Sequence, residues 1–121
     1  GEAAEGSYMT FGAVGGATGY DTFLAAYQTK FGSDPVAYGP GSYDAATILL
    51  QAADKVATVD ADGNLVIGRK ALADAVRSAP FEGVTGQLEF NEVGDLKVAS
   101  ISVFEVVDGT ITPVKEYNFG E

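Results

Sequence analysis

The chain has 121 residues, 46% of them apolar, and a formal net charge of −10 from 17 acidic and 7 basic residues. This suits one globular domain, able to bury roughly two thirds of the surface its unfolded chain exposes. The acidity speaks against nucleic acid and anionic membrane surfaces. The lack of Cys and His removes thiol nucleophiles, disulfides, His-dependent triads and Cys- or His-built metal sites.

From the N-terminus, a strand is predicted near Ser7–Phe11, followed by a Gly-rich loop. Thr18 and Asp21 can cap the next element. Phe23, Tyr27 and Phe31 recur every four residues with Leu24 beside them, which predicts a helix over 20–31 ending at Gly32. SDPVAYGPG (33–41) reads as turn, short extended piece and turn. YDAATILLQAADKVA (43–57) is the strongest helical pattern, with Ala46, Leu49, Leu50, Ala53 and Val56 on its inward face. Ser42 or Asp44 is placed to serve its N-terminus.

VDADGNLVIG (59–68) predicts a hairpin-like turn at Asp62-Gly63. RKALADAVRSA (69–79) predicts a third helix with Leu72, Ala75, Val76 and Ala79 inward, ended by Pro80. QLEF (87–90) then reads as a strand and NEVGD (91–95) as a turn. A long β run over 98–109 turns at Asp108-Gly109 into a last strand, 110–117. Three amphipathic helices need a sheet to cover, and few strands are supplied, so part of the fold is expected to lie outside the chain. A start at Gly1 rather than Met points the same way.

Chemical equipment is sparse. Asp60-Ala-Asp62-Gly-Asn64 resembles the opening of a calcium loop, but Leu65 and Ala71 occupy the positions that require Gly and Glu, so a solvated turn is expected. Glu82, Glu89, Glu92, Asp95 and Glu105 show no spacing that favours an acid/base pair. FGAVGG lacks the GxGxxG dinucleotide pattern. Catalytic and metal residues are therefore expected to be absent, and no cofactor is implied. Tyr38, in AYGPG ahead of the best helix, is the one side chain placed where a loop aromatic could wall a ligand.

FEGVTGQLEFNEVGDLKVASISVFEVVDGTITPV (81–114) resembles the C-terminal segment of the branched-chain amino acid (Leu/Ile/Val) substrate-binding proteins of ABC transporters, the type I periplasmic binding proteins. GEAAEG (1–6) and FLAAYQTKFGSDPVAYGPGSYDAATILLQAADKV (23–56) are similar to that family's upstream segments, in the same order. The resemblance implies an α/β fragment of a two-lobed clamshell, about its last third, with three helices followed by a β hairpin or meander. Residues 1–99 would belong to the N-terminal lobe, with a hinge crossing at Gly6, Ser7 and the residues just after. Residues 100–121 would carry the final crossing at Ser100 and Ser102 and return to the C-terminal lobe. Gly83, Gly86 and Gly94 would supply backbone freedom, and Asp95 would bond to its own turn.

Tyr38, five residues before Tyr43, matches a family aromatic that lines the ligand side-chain pocket, and Tyr8 by the hinge is a second candidate. The implied function is non-enzymatic capture of a small amino-acid-like ligand and delivery to a membrane permease. The alternative is a ligand-sensing regulator or receptor ectodomain of the same fold. A periplasmic or extracellular location follows, with or without a lipid anchor. The isolated chain, short of its sheet, is expected to self-associate.

Overall fold

The computed structural model describes residues 2–12, 19–78 and 80–120. Contacts divide the chain into two compact units, residues 1–13 with 96–121, and residues 14–95.

The first unit is an antiparallel sheet. After a short 3-10 turn at Glu2–Ala4 come β1 (Tyr8–Gly12) and, from the other end of the chain, β6 (Ala99–Val107) and β7 (Thr110–Phe119). The order is β1-β6-β7, with Thr10 opposite Val103 and Ile101 opposite Tyr117. Val106 is buried, and Phe11 meets Phe104 edge-on at 6.0 Å. At the β6–β7 turn both Asp108 (φ 51°) and Gly109 (φ 73°) are left-handed, the pairing that matches strand twist in a two-residue hairpin. The Glu5 carboxylate accepts the amides of Asp108 (2.7 Å) and Gly109 (3.1 Å), holding the turn from the far end of the sequence.

The second unit contains α1 (Tyr20–Phe31), α2 (Gly39–Val56), the hairpin β2 (Thr58–Val59) and β3 (Leu65–Val66), α3 (Arg69–Arg77), and the hairpin β4 (Phe81–Gly83) and β5 (Gly86–Leu88). α1 has the expected bounds, and Gly32 closes it in the left-handed conformation with its amide on the Gln28 carbonyl. Its cap differs from expectation. Gly19 is the N-cap with no side-chain cap bond, Asp21 lies within the first turn, and Thr18 lies outside the described residues.

α2 begins four residues earlier than its hydrophobic pattern suggested, with Pro40 in its first turn, where a missing amide costs nothing. Neither Ser42 nor Asp44 caps it. The buried stripe is Pro40, Asp44, Ile48 and Ala52, whereas Leu49 and Leu50, expected inward, are 51% and 72% exposed. The reason is Asp44. It is 1% exposed and accepts the Val84 amide (2.8 Å), the Thr85 amide (2.9 Å) and the Thr85 hydroxyl (2.6 Å). These charge-assisted bonds repay the desolvation of the carboxylate and turn the helix so that an acid faces inward. They also account for β4, which is absent from the sequence reading: FEGVTGQL folds as a hairpin around the turn that Asp44 clamps. Gly86 (φ 116°) and Gly94 (φ 94°) use left-handed backbone as expected, but Gly83 does not. Gly83 is required by proximity, since a Cβ there would overlap the Asp44 carboxylate, 2.6 Å from Cγ.

Two local turns follow one pattern. Asp60 accepts the amides of Asp62 (3.0 Å) and Asn64 (2.8 Å) and the Asn64 side-chain amide (3.1 Å), so its oxygens serve the β2–β3 turn. In NEVGD the side chain that bonds to the turn is Asn91, accepting Val93 N and Asp95 N. Asp95 contributes its carbonyl to the Asn91 amide, which corrects the expectation for its side chain.

Asp44→Ala strips three bonds from a part-buried turn. In the full-length protein it lowers stability by about 2–4 kcal/mol, read from the urea unfolding midpoint; a loss within experimental error would show that the clamp is dispensable. The bonds from Asn64 hold the Asp60 carboxyl below its ordinary value of 3.8. A folded-state value below the unfolded one contributes stability that is present above 3.8 and lost as pH falls through the folded value. Carboxyl NMR titration is expected to place the Asp60 midpoint below 3.8, moving back up toward it in Asn64→Ala.

Candidate functional site

Tyr38 is the N-cap of α2, with its carbonyl accepting the Ser42 amide at 2.9 Å and its side chain 71% exposed. The segment before it shows no regular extended structure: 34–36 is irregular and 37–38 is a turn closed by Gly39 N to Val36 O at 2.8 Å. Gly39 permits that closure, because a Cβ there would stand 3.0 Å from Pro35 Cβ. Gln28 donates to Asp34 at 2.6 Å, tying the loop to α1. Tyr38 is thus presented at a loop-to-helix junction and lies off the buried stripe of α2.

The remaining sequence candidates fall together in the β1-β6-β7 sheet. The Gly6 amide bonds to Val106 O (2.9 Å) and the Val106 amide to Ser7 O (3.0 Å), extending the β1–β6 ladder. Tyr8 pairs with Glu105 in register. The side-chain hydrogen bond to Glu105, with the carboxylate's charge, raises the phenol above its ordinary value of 10.0. Ser102 lies opposite Phe11 on one side and Glu116 on the other, and the Ser100 hydroxyl meets Asn118 Oδ1 at 2.5 Å. The two segments expected to cross between lobes are therefore adjacent antiparallel strands. Tyr38 belongs to the other compact unit.

The second unit also carries an open aromatic groove of about 710 Å³. Phe23, Tyr27 and Phe31 run along α1 with ring centroids 5.8 and 4.5 Å apart, and Tyr43 joins them at 5.1 Å from Phe23. Gly39, beside Tyr38, lines the same groove, with Lys30 as the one charged residue of its lining among the described residues. The recurrence of Phe23, Tyr27 and Phe31 marked this face in the sequence; the addition of Tyr43 needed the rotation of α2. Among the described residues no cluster of acids could hold a metal ion, and no helix is long and apolar enough to cross a membrane.

Comparison with known proteins places this arrangement. The leucine-binding protein LivK of Thermotoga maritima superimposes with a TM-score of 0.71 and 27% identity, over 96% of this chain and 32% of its own. An ABC transporter substrate-binding protein of Desulfitobacterium hafniense, in complex with Leu, gives 0.63 and 25%, over 93% and 32%. A solute-binding protein of an ABC transporter from R. palustris, in complex with benzoate, gives 0.68 over 100% and 33%; at 18% identity it speaks for the fold alone. The chain thus spans about a third of the length of these structures. No curated protein matches it. The type I periplasmic-binding-protein fold expected from FEGVTG and YDAA is the one observed, with three helices followed by the β6–β7 hairpin. The profile of the receptor family ligand binding region matches residues 16–109, and the chain belongs to that family.

Proposed function

We propose that this chain forms part of the solute-binding component of an ABC importer. The whole protein captures a small amino-acid-like ligand, a branched-chain amino acid or a relative of one, in a cleft between two lobes. It passes the ligand to a membrane permease without chemical change. The reading rests chiefly on the likeness to a leucine-binding protein over 96% of the chain. It carries with it a periplasmic or extracellular location. Lobe closure would be a hinge motion driven by contacts made only in the closed state, with Gly6–Ser7 leading into β1 and Ser100–Ser102 in β6 as two of the flexing strands. Tyr38, and secondarily Tyr8, would touch the ligand. The family's description as a receptor region favours a second reading, a ligand sensor of the same fold.

A thermal-shift screen of the full-length protein against the twenty amino acids, small amides and benzoates tests the ligand class, because a ligand that binds the native state raises the melting temperature by mass action. A shift confined to aliphatic amino acids is expected; a shift with benzoates alone would discard the amino-acid reading. With that ligand, Tyr38→Ala weakens binding by about 1–3 kcal/mol in calorimetry, and an unchanged affinity removes Tyr38 from the site.

The isolated 121-residue chain exposes Leu50, Val36 and many other large apolar side chains. We propose that it self-associates. Light scattering is expected to give a mass above 12.5 kDa that grows with concentration, and a constant monomer mass would refute it.

A further inference from the structure

Helix α2 is held within the second unit by two kinds of contact. Asp44 and Pro40 are the largest fully buried side chains among the described residues, and Ile48 and Ala52 continue the same stripe. Pro40, Ile48 and Ala52 pack through apolar contact, which has no preferred direction. The Asp44 bonds have one. Its Oδ1 accepts the Val84 amide, and its Oδ2 accepts both the amide and the hydroxyl of Thr85, so each oxygen is separately aimed. The start of α1 meets the same turn, because a Cβ on its N-cap Gly19 would stand 3.4 Å from Val84 Cα and 3.5 Å from Gly83 O. The 83–85 turn is thus a common seat for the beginnings of both helices.

Tyr38 lies at the N-cap of α2, six residues before Asp44, and its carbonyl accepts the Ser42 amide. About 9 Å of continuous helix joins it to the clamp. Turning that helix by about 10° sweeps a side chain at a radius of about 6 Å through about 1 Å, whereas a binding group must be held to within about 0.5 Å. We propose that Asp44 and Thr85 are positioning residues of the ligand site: their bond sets the rotation of α2 and so places Tyr38 against the ligand. This rests on the reading of Tyr38 as a ligand contact. Within the clamp the Thr85 hydroxyl is the selective part. Any residues in such a turn offer the two amides, but the hydroxyl needs Thr or Ser, and it makes the shortest of the three bonds, 2.6 Å. The clamp is internal to the second unit, and no part of it has to be open to solvent or to a partner.

The test uses the full-length protein and two substitutions that divide the bond from the packing. Thr85→Val keeps the methyl group and loses the hydroxyl bond, leaving Asp44 both amides. Thr85→Ser keeps the bond and loses the methyl. Circular dichroism first confirms that each variant is folded at the measuring temperature. Fluorine NMR of fluorotyrosine-labelled protein, with the Tyr38 signal assigned through Tyr38→Phe, is expected to show that signal displaced in Thr85→Val and restored in Thr85→Ser. The signals of Tyr8 and Tyr117, in the other compact unit, are expected to stay in place. Calorimetry with leucine is expected to show binding about three- to tenfold weaker in Thr85→Val, recovered in Thr85→Ser, and not weakened further when Thr85→Val is added to Tyr38→Ala. A Tyr38 signal unmoved in Thr85→Val overturns the proposal. So does a loss of affinity that Ser does not recover, or one that adds in full to that of Tyr38→Ala. Each of these outcomes leaves Tyr38 a ligand contact as long as Tyr38→Ala itself weakens binding. An unchanged affinity in Tyr38→Ala, or a wild-type protein that binds no leucine, sinks the underlying reading and the proposal together.

Discussion

Asp44 accepts all three of its hydrogen bonds from one two-residue turn forty residues away, and the arrangement of the larger unit follows from it. An isolated carboxylate loses several kcal/mol on leaving water, so a side chain 1% exposed survives there only with its oxygens saturated by donors. Saturation has geometric consequences. The β4–β5 hairpin must present its turn amides to α2, and Gly83 must lack a side chain for the two to approach. The stripe running Pro40–Asp44–Ile48–Ala52 must face the hairpin, which fixes the rotation of α2 about its axis. That rotation in turn brings Tyr43 to Phe23 and completes the aromatic face of α1.

The same chemistry recurs at lower cost elsewhere. Glu5 grips the two left-handed residues of the β6–β7 turn, Asp60 holds the β2–β3 turn, and Asn91 holds the turn after β5. With 17 acids and only 7 bases, most carboxylates have no cation to pair with. Several bond backbone N–H groups instead, where tight turns leave donors pointing outward. Glu5 and Asp60 are exposed, so each contributes less than Asp44 does. Glu5 nevertheless links residues more than a hundred positions apart, and it orders the turn of a sheet whose first and last strands come from opposite ends of the chain.

Much of this was legible in the sequence. The Phe23–Tyr27–Phe31 spacing predicted a helix over about 20–31, where α1 lies, and Gly32, Asp62-Gly63 and Asp108-Gly109 marked turns that the structure contains. These features are local, and local sterics decide them. The missed features are those that a distant partner decides. Hydropathy alone cannot choose a stripe containing an acid, so it selected Leu49 and Leu50 and overlooked Asp44. The signal was present in two halves: an acid four residues before Ile48, and a Val-Thr turn between glycines whose amides needed an acceptor. Pro40 was read as ending the preceding loop, although proline in a first helical turn equally announces the helix. At the candidate site, the loop ahead of α2 that holds Tyr38 was legible, and the aromatic groove only in the part that α1 supplies.

The misreading of α2 has a physical content of its own. A helix normally shows one apolar stripe, and this one shows two. The first is buried within the unit and is organised by hydrogen bonding around Asp44. The second, through Ala46, Leu49 and Leu50, carries the greater hydrophobicity and stays largely open. Removing large apolar side chains from water is worth roughly 25 cal/mol per Å², so an open stripe of this kind favours any surface able to cover it. Among the described residues the buried hydrophobic side chains Ile48, Ala52 and Val106 are few beside the large exposed ones. The proposed self-association of the isolated chain draws on those exposed side chains.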